Sequence, residues 1–171
     1  MSQVKHFIIS DTHHCHDNIY KFVSFDGVTR VRKEWDTAAE ADREMVERWN
    51  AVVSPEDHVY HLGDVGFGAG VHRIVAQLNG HKRLVLGNHD KDDVRNYRAM
   101  GFQKVMGCHQ YRRGLWFTHV PMHPLSLGEG GINIHGHIHE RPAYGPQYRN
   151  VSVERIDYRP QLIEEVLAWK D

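Results

Sequence analysis

A chain of 171 residues is long enough for one hydrophobic core and too short for two ordinary domains, so we expect residues 1–171 to form a single domain. Apolar residues make up 40% and charged residues 25%, and 21 basic side chains balance 22 acidic ones, so no broad positive surface for long nucleic acid is indicated. Two cysteines make no disulfide framework and no apolar run reaches membrane-spanning length, so we expect free thiols and a soluble, cytoplasmic protein.

The first half of the chain alternates short apolar runs with amphipathic segments. Residues 6–10 are an apolar run that predicts a buried strand, and this run ends in the polar residues Asp11-Thr12-His13. A helix is predicted to begin at Thr37, where Glu40 completes a capping-box pattern. The same patterns predict further strands over 58–62 and 83–86 and further helices over 71–78 and 92–100.

The second half of the chain has the pattern of strands. Apolar alternation predicts strands over 102–111, 115–118, 132–135 and 148–153, followed by an amphipathic helix over 161–169. Strand–helix alternation followed by hairpin-like strands predicts an α/β fold, a two-sheet β-sandwich flanked by helices.

Several predicted strands run directly into polar loops. The first three such loops are Asp11-Thr12-His13, Gly63-Asp64 and Gly87-Asn88-His89-Asp90. Two later loops, Thr118-His119 and Gly136-His137-Ile138-His139, add histidines. In open α/β sheets, ligands bind beyond the carboxyl ends of the strands, because the loops converge there on a rigid support. We therefore expect one binding site where these loops meet.

The side chains of these loops are typical metal ligands. Histidine is the commonest metal ligand at neutral pH, and the chain has 15 histidines spread in short groups, not in a terminal tag. On extended backbone, alternate side chains point the same way, so D-x-H and H-x-H can each direct two ligands to one ion. Oxygen and imidazole donors suit manganese, iron or zinc, whereas structural zinc prefers thiolates. There are more candidate ligands than one ion needs, so we expect two ions that share a bridging carboxylate. The seven candidate ligands are Asp11, His13, Asp64, Asn88, His119, His137 and His139.

The order of these loops resembles the calcineurin-like metallophosphoesterase superfamily, whose motifs are D-x-H, G-D, G-N-H-D/E, a lone H and G-H-x-H. All of them occur here in that order between Asp11 and His139. The resemblance implies a four-layer αββα fold and two divalent ions, with Mn first and Fe, Zn or Ni as alternatives. The first ion would be held by Asp11, His13 and His139 and the second by Asn88, His119 and His137, with Asp64 as the bridge.

The resemblance also implies roles for residues that hold no ion. His89 would be catalytic, contacting the phosphate and protonating the leaving oxygen, and Asp90 beside it is a candidate to orient that ring. Asn88 would contact phosphate in addition to a metal. His16 lies in the same polar loop as His13, where it is a candidate substrate contact or a solvated histidine. The attacking group would be a hydroxide between the metals.

The second motif departs from that of protein serine/threonine phosphatases. Those enzymes continue G-D with x-V-D-R-G, whereas Asp64 is followed here by Val65-Gly66-Phe67. The resemblance is therefore to small bacterial and phage-type phosphoesterases, and it favours a phosphodiesterase for a nucleotide-like or other small phosphate ester. A phosphomonoesterase, including a protein phosphatase, and a non-catalytic metal-binding scaffold are the alternatives. Substrate, native metal and oligomeric state are left open.

Other polar residues have simpler interpretations. His14 and His135 adjoin candidate ligands and are expected to hydrogen-bond or pack near the site. The basic residues Arg30, Arg32 and Lys33 are expected to be solvated charges on a surface loop over 24–35.

Overall fold

The computed structural model describes residues 3–24 and 26–169. In chain order they form the elements β1 (His6–Ile9), α1 (Ala38–Val52), β2 (His58–His61), α2 (Gly70–Val75), β3 (His81–Val85), α3 (Val94–Met100), β4 (Phe102–Met106), β5 (His109–Arg112), β6 (Leu115–Phe117), β7 (Ile132–His135), β8 (Tyr148–Asn150), β9 (Gln161–Leu162) and α4 (Ile163–Leu167). Short 3₁₀ helices lie at Asp17–Lys21, Pro124–Ser126 and Val153–Arg155. Two sheets with helices confirm the predicted α/β fold.

The first sheet has the strand order β4-β3-β2-β1-β9. Its first four strands are parallel, and the helices α1, α2 and α3 provide the crossovers between them. The loops after β1, β2 and β3 consequently leave the sheet at the same edge. These are the three polar loops of the first half of the sequence.

The second sheet has the order β5-β6-β7-β8 and is only partly built of hairpins. β5 and β6 are antiparallel, as expected, but β6, β7 and β8 are mutually parallel. The hairpin expectation was wrong for these strands because the intervening segments are long enough to return the chain in the same direction. The parallel arrangement sends the loops after β6 and β7 out at a common edge.

The predicted strand over 102–111 is divided between the two sheets. β4 pairs with β3 in the first sheet, whereas β5 pairs with β6 in the second. Gly107 and Cys108 lie between the two strands and carry the chain from one sheet to the other. Apolar alternation continues across the break, so the local pattern does not reveal it.

The predicted helix over 161–169 begins as a strand. Gln161 and Leu162 pair antiparallel with Ile8 and Phe7 at the edge of the first sheet, and α4 follows them. Pairing with an available strand edge overrides the helical pattern of these two residues.

The main core lies between the sheets and beneath α1. Trp49 of α1, Ile8 of β1, Phe117 of β6 and Ile134 of β7 belong to one buried cluster. The indole Nε1 of Trp49 also donates to the carbonyl of Asn79 at 3.0 Å, which fixes α1 to the segment before β3. No helix within the described residues has the length and apolar character that crossing a membrane requires.

Candidate metal centre

The predicted ligands come together from the loops of both sheets. Asp11, Asp64 and Asn88 follow β1, β2 and β3, whereas His119 and His137 follow β6 and β7. Asp11, Asp64 and His119 are buried, and so is His13. The site therefore lies between the two sheets, and neither sheet alone supplies all of its donors.

Asp64 lies between two groups of donors. One carboxylate oxygen, Oδ2, is 3.6 Å from His13 Nε2 and 3.4 Å from His119 Nε2. Asp11, His13 and His139 offer ligand atoms that all lie within 4.8 Å of one another, and the same holds for Asp11, Asp64 and His119. The geometry thus gives Asp64 access to both groups.

The second group is more compact. Asn88 Oδ1 is 2.8 Å from His119 Nε2 and 2.9 Å from His137 Nδ1, and the two imidazole nitrogens are 3.2 Å apart. Three donor atoms that converge on one small space suit a single cation.

The backbone at the site is left-handed, not extended. Non-glycine residues rarely adopt positive φ, yet five candidate ligands do so, with φ between 49° and 71°: Asp11, His13, Asp64, His137 and His139. The expected convergence is observed for Asp11 and His13, whose ligand atoms lie within 4.8 Å of each other, but not for His137 and His139, which join different groups of donors. The predicted extended backbone was wrong, because these residues have left-handed backbone. Such backbone strain persists only where surrounding structure imposes it, and it concentrates at functional sites.

Two glycines allow the loops to approach one another. A Cβ at Gly87 would collide with the carboxylate of Asp64, and a Cβ at Gly136 would collide with Ser10 Oγ and the carboxylate of Asp11. A side chain at either position would push a candidate ligand away.

The donor set suits a divalent cation. Within the described residues, Asp11 Oδ1 and both ring nitrogens of His13 are buried without a hydrogen-bond partner. Asp11 Oδ1 and His13 Nε2 face each other at 3.9 Å. Buried polar atoms are ordinarily hydrogen-bonded, so a bound ion is the natural partner for this pair.

Burial and neighbouring charges shift the pKa values of the candidate ligands in both directions. Burial lowers the pKa of His13 to about 2, and it also lowers the pKa of His137, so both rings are neutral and able to ligate. Burial raises the pKa of Asp11. Burial would also raise the pKa of Asp64, but hydrogen bonding and charge from His119 hold that pKa below its usual range.

His89 is exposed beside these donors. Its ring makes an edge contact with that of His13 at 5.8 Å between centroids, and its backbone amide donates to Asp64 Oδ1 at 2.9 Å. The contacts of His89 leave its ring nitrogens available at the open side of the site.

Asp90 binds loop backbone. Its carboxylate accepts hydrogen bonds from the amides of Asp64 and Gly87, both at 2.8 Å, and from that of Val65 at 3.1 Å. These contacts fix the loops after β2 and β3 relative to each other. The hydrogen bonds of Asp90 thus support the position of His89 through the backbone.

His16 lies at the margin of the site. Its ring is half-buried, 4.3 Å from that of Phe67 and 5.7 Å from that of His13 between centroids. It is therefore close enough for a substrate contact without being placed among the ligands.

Arg32 and Glu154 belong to the site, although sequence reasoning missed both. Arg32 is fully buried, donates to the carbonyl of Thr12 at 2.9 Å and to that of Asp11, and pairs with Glu154 at 2.8 Å. Glu154 also contacts His139 Nδ1 at 3.1 Å. The expectation that Arg32 is solvated was wrong, because the carbonyls of the ligand loop and the Glu154 carboxylate satisfy its charge. An arginine in a loop carries no sequence signal of this burial.

Two cavities adjoin the candidate ligands. The larger, of about 810 Å³, has His137 and His139 in its wall. The other, of about 450 Å³, has Phe67, His72, His89 and Lys91 in its wall.

Comparisons with known proteins agree with this architecture. MJ1445 of Methanocaldococcus jannaschii, described as uncharacterized, is 29% identical over 98% of this chain and 92% of its own length. The Gene 66 protein of Mycobacterium phage L5 is 35% identical over 46% of this chain and 39% of its own length. The crystal structure of AQ665 from Aquifex aeolicus, a protein of unknown function, superposes with a TM-score of 0.71 at 25% identity, covering 96% of this chain and 98% of that one.

The fold and donor set define a metal-dependent hydrolase. The calcineurin-like phosphoesterase family model matches residues 5–171, so the chain belongs to that family of enzymes, which act on phosphate esters.

Proposed function

We propose that the chain is a two-metal phosphodiesterase that hydrolyses small, nucleotide-like diesters. The observation that carries the proposal is the position of Asp64 Oδ2, 3.6 Å from a donor of one ligand group and 3.4 Å from a donor of the other. A carboxylate so placed can be shared by two ions. Asp11, His13 and His139 complete the first site, and Asn88, His119 and His137 the second.

We take manganese as the first metal to test, with iron, zinc and nickel as alternatives, because the donors mix oxygen and imidazole. When bound, two such ions polarise phosphate oxygens and lower the pKa of water. His89 protonates the leaving oxygen, and Asn88 contacts phosphate. Asp90 acts on His89 through the loop amides, and His16 contacts the substrate at the margin of the site.

The two cavities favour a diester over a monoester. A diester has two arms on phosphorus, and the larger cavity adjoins His137 and His139 while the other adjoins His89. The leaving arm must lie beside the proton donor, which assigns it to the cavity with His89. The retained arm then occupies the larger cavity.

The proposal is tested by hydrolysis of matched substrates after metal removal. Purified protein is stripped with chelator, restored with one metal at a time, and assayed with p-nitrophenyl phosphate, bis-p-nitrophenyl phosphate and 2′,3′-cyclic and 3′,5′-cyclic nucleotides. We expect restored turnover and a higher kcat/KM for diesters.

Preference for the monoester would instead support a phosphomonoesterase, and a phosphopeptide substrate tests protein phosphatase activity. Tight binding of metal with no turnover of any ester would support a non-catalytic scaffold.

Residues 1–171 are proposed to act as one domain on a small phosphate ester in the cytoplasm.

A further inference from the structure

The larger cavity beside the candidate ligands collects exposed apolar side chains. Phe22, Val23, Val120 and Tyr144 are 52%, 48%, 49% and 71% exposed, and all four line this cavity. Four other large apolar side chains of the described residues reach comparable exposure, and none of them lines it: Val4, Val28, Val94 and Leu125. Exposed apolar surface concentrated at one place marks a binding surface.

The walls of the cavity carry no excess charge. Besides His137 and His139, its acidic and basic lining residues are Glu140 and Arg141, which have opposite charges. Ser24 Oγ donates to Glu140 Oε1 at 3.1 Å and joins the segment after the first 3₁₀ helix to the loop after β7. A group bearing a further phosphate would need several cations, so this cavity suits an uncharged group.

Two of the exposed residues that line the cavity are aromatic, Phe22 and Tyr144. The Phe22 ring contacts that of His16 edge-on at 6.1 Å, and the Tyr144 ring contacts that of Tyr148 edge-on at 6.5 Å. Tyr148 is buried, so it provides a fixed support for Tyr144. Exposed rings on fixed supports bind flat aromatic groups by stacking, because every aromatic ring has a π-face.

We propose that this cavity binds an uncharged, planar aromatic ring on the retained arm of the phosphodiester, with Phe22, Val120 and Tyr144 as specificity-determining residues. The inference rests on the proposed function, which places phosphorus at the candidate ligands. A nucleoside and a simple aryl group share this chemistry. Because the ring is on the arm that stays on phosphorus, the specificity is independent of the leaving group.

The test uses three diesters with the same leaving group, p-nitrophenol, and different retained arms: methyl, phenyl and 5′-thymidyl. We expect wild-type kcat/KM to be about 10-fold or more higher for the ring-bearing esters than for the methyl ester, the scale of one stacked ring. In Phe22→Ala and Tyr144→Ala this ratio falls towards one. Leu125→Ala removes an apolar side chain that is 89% exposed outside the cavity and keeps the wild-type ratio.

Binding of the retained-arm products gives a readout that needs no turnover. Calorimetric titration with methyl phosphate, phenyl phosphate and thymidine 5′-phosphate is expected to show the same preference for rings, and Tyr144→Ala is expected to lose it. Thymidine preferred over phenyl supports a nucleoside arm, and equal binding supports any aromatic ring.

The failures of the two proposals are distinguishable. Equal kcat/KM for all three diesters in wild type and variants, with equal product binding, overturns the ring-binding cavity and leaves the phosphodiesterase intact. Absence of hydrolysis of every ester by metal-loaded protein overturns the phosphodiesterase, and the product titrations then decide the cavity independently.

Discussion

At the scale of single residues, His89 is predicted to be the general acid that protonates the leaving oxygen. It lies next to Asn88, but its side chain belongs to neither group of donors. His89→Ala is therefore expected to keep both metals while losing about 10²–10⁴ in rate, the usual contribution of a general acid. Elemental analysis and kcat for a series of diesters check this prediction.

The defect of His89→Ala should depend on the leaving group. p-Nitrophenolate leaves without a proton, whereas a sugar alkoxide needs one, so the rate loss should shrink as leaving-group pKa falls. Equal losses across the series would assign His89 to phosphate positioning, and loss of metal would mean that the loop after β3 is misassigned.

Glu154 is expected to tune metal binding through His139. Burial would raise the pKa of Glu154, but the Arg32 guanidinium and His139 hold it at about 2, so it is an anion facing His139 Nδ1. A carboxylate in that position orients a histidine ligand and increases its basicity. Glu154→Gln should weaken metal binding about 10–100-fold in a chelator competition assay.

The matched control for this change is Glu164→Gln, at a side chain that is 73% exposed on α4. Because Glu154→Gln also leaves the buried Arg32 without its counter-charge, the unfolding of metal-free protein is measured separately. Wild-type metal affinity in a folded Glu154→Gln protein would contradict the role.

His61 is expected to make stability depend on pH. It is buried, and burial followed by the charge of His14 lowers its pKa to about 3 from 6.5. Below pH 6.5 the unfolded chain binds a proton that the folded protein excludes. The free energy of unfolding is therefore highest above pH 6.5 and decreases as pH falls towards 3. At pH 5 the decrease is about 2 kcal/mol.

Urea unfolding of metal-free protein at pH 7 and at pH 5 measures this effect. His61→Gln cannot titrate, so its loss of stability between the two pH values should be smaller than that of wild type by about 2 kcal/mol. Identical losses in both proteins would show that His61 is protonated when folded.

At the scale of elements, α1 is capped as the sequence predicts. The hydroxyl of Thr37 accepts from the amide of Glu40 at 3.3 Å. Thr37→Ala should lower the free energy of unfolding by about 1 kcal/mol, whereas Thr37→Ser keeps the hydroxyl and most of the stability. Denaturant unfolding of the two variants checks the prediction, and equal stability of Thr37→Ala and wild type would contradict it.

At the scale of the whole molecule, the candidate ligands connect the two sheets. Asp11, Asp64 and Asn88 come from the first sheet, and His119 and His137 from the second. Ions held there should stabilise the folded protein by about 2.7 kcal/mol each at a free concentration of about 100 times Kd. Chelation should lower Tm by about 5–10 °C per ion lost.

Asp64→Asn tests whether one carboxylate serves both ions. If Asp64 is the bridge, the variant should lose both ions together and show the low Tm of chelated wild type. Elemental analysis that still finds two tightly bound ions per chain would rule out the bridge.

The sequence by itself determined the candidate ligands and the elements that depend on local pattern. Residue type and spacing identify D-x-H, G-N-H-D and G-H-x-H directly, because the donor atoms belong to the side chains. The strands before Asp11, Asp64 and Asn88, and the capped start of α1, likewise follow from short-range sequence patterns.

Only the tertiary structure decided the features that depend on contacts distant in sequence. It divided 102–111 between two sheets, made Gln161 and Leu162 an edge strand, and buried Arg32 against Glu154, 122 residues away. It also imposed left-handed backbone on Asp11, where the sequence pattern had predicted extended chain. Local periodicity records which residues are apolar but not which strand edge, carboxylate or loop they will meet, and these partners set the final conformation.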